Sequence, residues 1–190
     1  SLTATKWTNV TDEPDEPENG KVTLVKSSAD TSVSDGNSNY SLAGAVYTVT
    51  DSAGKSVGTL TTKADGSSNT LTLPLGTYTV KETSASKGFK LDTAGHTVKI
   101  TADKTETVKS LEKPETGKVT LVKSSADPEA TGPLYSLAGA VYTVTDRTGK
   151  SVGKLTTKED GTSNTLTLPL GTYTVKETSA SSGFKLDTKD

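Results

Sequence analysis

Apolar and polar positions alternate along most of this chain with a period of two, the mark of strands that bury one face. In "GKVTLVKSSAD", residues 20–30, Val22 and Leu24 share a face, and Lys26 follows them onto it. "AGAVYTVTD" aligns Ala45, Tyr47 and Val49, and "NTLTLPL" aligns Leu71 and Leu73. "TYTVKET" aligns Tyr78, Val80 and Glu82, and "GHTVKITAD" aligns Val98, Ile100 and Ala102. Gly76 and the Asp65-Gly66 pair separate these runs as turn residues. No stretch of helical period is long enough to compete. Six or seven short strands in fewer than about 100 residues predict an all-β sandwich.

The pattern then repeats. "YSLAGAVYTVTD" starts at Tyr40 and again at Tyr135, a shift of 95 residues, and "SNTLTLPLGTYTVKETSAS" recurs with the same shift. The opening strand recurs at Gly117, a shift of 97 from Gly20, because the first copy's loop is two residues longer. Two tandem β-sandwich domains follow, with further copies expected in the parent protein. Residues 17–113 form domain 1 and residues 114–190 form domain 2. "TDEPDEPENG" and "LEKPETG" precede the copies as Pro- and Glu-rich linkers, expected to act as short semi-rigid spacers.

The two copies end differently. The first continues past "GFKLDT" into "AGHTVKITADKTETVKSLEKPETG", whereas the second reads "GFKLDTKD" and lacks a last strand of its own. The chain opens with "SLTATKWTNVTDEPDEPENG", in which "LTATK" matches "ITADK" of the first copy's tail. Residues 1–16 are therefore expected to complete a sandwich elsewhere. Three explanations stay open: a repeat array cut at an arbitrary register, donation of the N-terminal strand to another copy, or disorder or a swap.

Composition narrows the class. The formal charge is −2 with dispersed basic residues, which argues against nucleic acid as a partner. No apolar run reaches membrane-spanning length, and no signal peptide is evident. There is no cysteine, so disulfides and thiol chemistry are both excluded. Only 5% of the residues are aromatic, so any core is light and needs other reinforcement.

Lys26 and Glu82, repeated as Lys123 and Glu177, are thus placed on faces that should be buried. An unpaired buried ion costs several kcal/mol, so each demands a partner. A salt bridge at the strand ends, or a lysine reaching back to solvent, is the plain alternative.

"GKVTLVK", "LAGAVYTV" and "LPLGTYTVKETSASKGFKLD", in that order and twice over, resemble the CnaB or SpaA-type prealbumin-like domains of Gram-positive surface proteins and pilins. The resemblance implies that the first-strand lysine bonds covalently to an Asn or Asp on the last strand, promoted by the glutamate. Lys123 with Glu177, and Lys26 with Glu82, would hold those roles. Burial would favour the neutral amine and the protonated acid, which suits amide formation without a cofactor. Asp12 in "NVTDEP" is the expected acceptor for Lys123, with Asn9 as runner-up. For Lys26 the aligned residue is Ser110, which cannot form an amide, so the acceptor in domain 1 is open.

Other signals carry less. "DGNSNY", residues 35–40, is a faint calcium-loop echo without the sixth-position glycine and reads as a plain surface loop. "KPETG" looks like a sorting signal but runs into a strand, and the Asn9 and Asn39 sequons are given little weight. His96 is the only histidine, so no metal cluster built on histidine is expected. The reading is a structural repeat of a surface stalk, pilus or filament, extracellular, whose partners are further copies of itself. The alternative is an adhesin repeat binding a host matrix or glycan ligand through its loops. An enzyme acting on anything but its own chain is not expected.

Overall fold

The computed structural model describes residues 13–190. Domain 1 contains seven strands: β1 (Asn19–Ser28), β2 (Val46–Thr50), β3 (Ser56–Thr61), β4 (Leu71–Pro74), β5 (Gly76–Ser84), β6 (Gly95–Ile100) and β7 (Thr105–Glu112). One sheet has the order β4-β1-β7 and the other β3-β2-β5-β6. All pairs are antiparallel except β1 with β7, which run parallel from Lys21 opposite Thr105 to Ser28 opposite Glu112. The alternating apolar residues meet between the sheets: Val22, Leu24, Ala45, Tyr47, Val49, Leu60 and Val80 have no solvent exposure. Ala102, expected at the end of this face, instead lies in the turn after β6, where Asp103 takes a positive φ of 58°.

Domain 2 repeats the scaffold with β8 (Thr116–Val119), β9 (Val141–Thr145), β10 (Ser151–Thr156), β11 (Leu166–Pro169) and β12 (Thr174–Ser179). Its sheets have the orders β11-β8 and β10-β9-β12. Among the described residues there is no counterpart of β6 or β7. The consequence can be read from identical sequence in two settings. "GKVTLVKSS" is part of a ten-residue strand in β1, but β8 ends at Val119. A strand persists where both edges find hydrogen-bond partners, and among the described residues β8 has a partner on one edge only. Val22 and Leu24 are fully buried, while their twins Val119 and Leu121 are half-buried. Covering such half-exposed side chains is worth about 1 kcal/mol each.

The joint between the domains is tighter than a spacer. β7 runs through Glu112 and β8 starts at Thr116, so only residues 113–115 connect them. These are pinned: Glu115 N–H donates to the Gly88 carbonyl at 2.7 Å, and Lys90 N–H to the Lys113 carbonyl at 3.0 Å. The longer loop of domain 1 is not a plain surface loop either. A single helical turn, α1 (Thr31–Ser34), leads into "DGNSNY", which folds against domain 2. Asn37 and Asn39 donate side-chain amides to the Leu170 carbonyl at 2.9 and 3.1 Å. The Tyr40 hydroxyl donates to the Glu115 carbonyl and accepts from Leu170 N–H. Sequence alone could not show this, because the partner carbonyl lies over 130 residues away.

The turn residues around the buried lysine are constrained. Gly66 has φ +86°, and a Cβ there would lie 2.2 Å from the Lys26 carbonyl oxygen; Gly161 repeats this against Lys123. The Gly66 carbonyl accepts the Lys26 N–H at 2.8 Å, so this turn holds the lysine in register. Gly66→Ala is expected to destabilise domain 1 by roughly 2–3 kcal/mol, through a left-handed φ and a backbone clash together. A denaturant titration of the variant checks it; an unchanged midpoint would mean that the turn yields freely.

Candidate cross-link site

In domain 1 the alternation on β1 carries Lys26 inward behind Leu24, and the alternation on β5 carries Glu82 inward behind Val80. Their side chains have no solvent exposure, and Lys26 Nζ lies 3.6 Å from Glu82 Oε1. A third ion completes the cluster. On β7, Val108, Ser110 and Glu112 share the buried face, and Glu112 Oε2 lies 3.1 Å from Lys26 Nζ. Ser110 stands directly opposite Lys26 in the β1–β7 register. Lys26 and Glu82 are therefore not a bare pair: the last strand supplies an acid one side chain beyond the serine.

Each member is held by neighbours. The Tyr47 hydroxyl from β2 lies 2.7 Å from Glu112 Oε1, and Ser110 Oγ lies 2.9 Å from the same oxygen. Glu82 Oε2 accepts the Asp92 main-chain N–H at 2.7 Å. The Phe89 ring closes the pocket, its centroid 4.6 Å from Lys26 Nζ. A cation over a ring face is favourable, and more so when water is excluded. Burial pushes the Glu82 carboxyl up to about 7, assisted by Glu112 and opposed by the Asp92 N–H and Lys26. Burial likewise raises the Tyr47 hydroxyl, so it remains a protonated donor.

Domain 2 keeps half of this. Lys123 Nζ lies 3.9 Å from Glu177 Oε1, the Phe184 ring sits 4.8 Å from the amine, and Glu177 Oε2 accepts the Asp187 N–H at 2.7 Å. The Lys123 side chain is 10% exposed where that of Lys26 is sealed, and among the described residues no strand takes the place beside it that β7 takes beside Lys26. Asp12 and Asn9 lie outside the described residues. Among the described residues no group of His, Asp or Glu is arranged to hold a metal, and no helix is long and apolar enough to cross a membrane.

Sequence reasoning missed Glu112, Tyr47, Phe89 and Asp92 as parts of the site. Glu112 had a signal. Aligned on proline, "DEP" at residues 12–14 faces "EKP" at residues 112–114, which pairs Glu112 with Asp12 instead of Ser110. Tyr47 and Phe89 read as ordinary core residues, and the Asp92 contribution is main-chain, which no side-chain motif reveals.

The SpaA family, described as a prealbumin-like fold domain, matches residues 20–114 and again residues 117–190. The chain belongs to the SpaA family. Its structure is similar to the Bacillus anthracis TIE protein, with a TM-score of 0.73 and 26% identity, covering 90% of this chain and 30% of that one. The chain thus spans under a third of the length of that protein. Weaker likenesses include GBS52, the minor pilin of Streptococcus agalactiae, at 23% identity and TM-score 0.41, covering 59% and 48% of the two chains. The C-terminal fragment of the pilus adhesin SpaC from Lactobacillus rhamnosus GG matches at 17% and 0.49, covering 88% and 79%. No curated protein matches the sequence. Both SpaA domains carry the lysine, the glutamate, the aromatic lid and the main-chain clamp in the same places.

Proposed function

We propose that this SpaA pair is a load-bearing segment of an extracellular stalk, pilus or filament on a Gram-positive surface, each domain locked by an amide from its first-strand lysine. The observation that carries the reading is the lysine–glutamate pair set inward at the same place in both domains, fully sealed in domain 1 and with only the lysine partly exposed in domain 2. A charged pair is a poor way to fill a small core, since apolar residues of similar volume would do as well or better. Its chemistry is better suited to one self-directed reaction, with packing supplying the effective concentration.

In domain 2 a parallel strand would fit the open edge of β8, by analogy with β7, which covers β1 in domain 1. The sequence of residues 1–16 has the composition and spacing of that strand, with Asp12 as acceptor and Asn9 as the alternative. Strands donated between copies, or supplied by a neighbouring repeat, would chain the domains head to tail. Tyr135, the twin of the joint residue Tyr40, is 43% exposed and offers the next domain a contact.

A labelled peptide with the sequence of residues 1–16, added to the chain, is expected to form an adduct that survives boiling in detergent and maps to Lys123. Lys123→Arg should abolish it, and Glu177→Gln should slow it severely. Peptide that is recovered free from a folded chain, with Lys123 unmodified, would overturn strand capture at this edge.

A further inference from the structure

We propose that domain 1 closes with an amide between Lys26 Nζ and the Glu112 side-chain carbonyl carbon, so that its acceptor is a glutamate. The inference rests on the reading of these domains as covalently locked modules and names the acceptor that Ser110 cannot be.

Three features of the pocket point to it. The amine and both carboxylates are sealed, and Lys26 Nζ, Glu82 Oε1 and Glu112 Oε2 have no well-formed hydrogen bond among the described residues despite their proximity. Buried polar atoms left in that state are costly. One cation also faces two carboxylates, an imbalance that a low-dielectric site resists. Amide formation relieves both at once, because a charged pair becomes a neutral group.

The oxygens of Glu112 are differentiated as the reaction requires. Both hydroxyl neighbours, Tyr47 and Ser110, lie on Oε1. Oε2 faces the amine. Donors aimed at Oε1 stabilise the negative charge that develops there when Nζ attacks the carbonyl carbon. Oε2 is then the leaving oxygen. Glu82, beside both Nζ and Glu112, moves the protons. It accepts one from the lysine ammonium and gives it to Oε2, and the freed amine attacks. It then takes a second proton from nitrogen and delivers it to Oε2, which departs as water. Two of the three ammonium protons leave in that water and one stays on the amide, so the step balances without oxidant or cofactor. Ser110, unfit as an acceptor, becomes a donor to the reacting carboxyl.

The test is a peptide map of the full chain. The tryptic peptide carrying Lys26 is expected joined to the one carrying Glu112, one water lighter than their sum. Glu112→Gln should give the same linked mass, losing ammonia in place of water, which a structural carboxylate would not do. Glu112→Ala and Lys26→Arg should give none. Tyr47→Phe should slow accumulation of the linked mass by about tenfold or more, with circular dichroism unchanged. Should Tyr47→Phe or Glu112→Ala fail to fold, the wild-type and Glu112→Gln maps still decide. Separate Lys26 and Glu112 peptides at full mass from a folded chain overturn the proposal. Lys123 is followed in the same map: Lys26 free with Lys123 linked sinks this inference alone, and the reverse sinks only strand capture in domain 2.

Discussion

Replacing Lys26 with alanine is expected to cost domain 1 about 3–5 kcal/mol, since two carboxylates would then share a dry pocket with no cation. Glu82 and Glu112 both lie within ion-pair distance of the lysine and have no solvent exposure. Loss of the proposed amide would add to this. A link closing nearly the whole domain removes about 4–5 kcal/mol of unfolded-chain entropy by the reasoning used for disulfides. The two contributions separate by design. Lys26→Met with Glu82 and Glu112 both replaced by methionine removes the ions but keeps the volume, so it should recover the electrostatic loss and not the entropic one. Hydrogen exchange on β1 and β7 reads domain 1 apart from domain 2. A Lys26→Ala chain whose β1 amides exchange as slowly as wild type would refute the cluster's importance.

Domain 2 serves as an internal control for that argument. It has the same lysine, glutamate, aromatic lid and glycine turn, yet among the described residues it has no acid at the Glu112 place. Lys123→Ala should therefore be milder than Lys26→Ala, because it strands one buried carboxylate and not two, and the lysine it removes is itself partly exposed.

What could be read in advance follows from range in sequence. Strand faces depend on residues two apart, and Lys26, Glu82, Ala45, Tyr47 and Val49 all point where the alternation puts them. The duplication, the absence of β6 and β7 counterparts among the described residues of domain 2, and the SpaA likeness are likewise properties of the string. The contacts that complete the site are not. Phe89 reaches Lys26 and Tyr47 reaches Glu112 only after two sheets pack, and the Asp92 contribution is a backbone N–H. Ser110 and Glu112 illustrate the limit most sharply. Both lie on the buried face of one strand, and register pairs the serine with Lys26, while side-chain length lets the glutamate reach it. The joint is short, as its composition implies, but its anchoring was not legible: residues 113–115 are tied to domain 1 by main-chain bonds that composition cannot register.

The pH dependence of domain 1 should run against that of an ordinary carboxylate-rich protein. Glu82 is held at about 7 in the folded chain against an ordinary 4.5, and burial is the leading cause. That cause would survive the proposed amide formation, which would remove the opposing charges of Lys26 and Glu112 together. A carboxyl with a raised folded value binds its proton more tightly when folded, so its contribution is complete below about pH 4.5 and is lost as pH climbs through about 7. Asp65 in domain 1 has a lowered value from hydrogen bonds in its own turn, and its effect is confined to more acid pH, with the opposite sign. Guanidinium unfolding of domain 1, followed by exchange on β5, should therefore show greater stability at pH 5 than at pH 8. Glu82→Gln should flatten that slope while leaving the acid limb below pH 4 in place. Parallel profiles for wild type and Glu82→Gln would mean that Glu82 ionises in the folded domain as it does in water, and a sealed proton carrier could not be maintained.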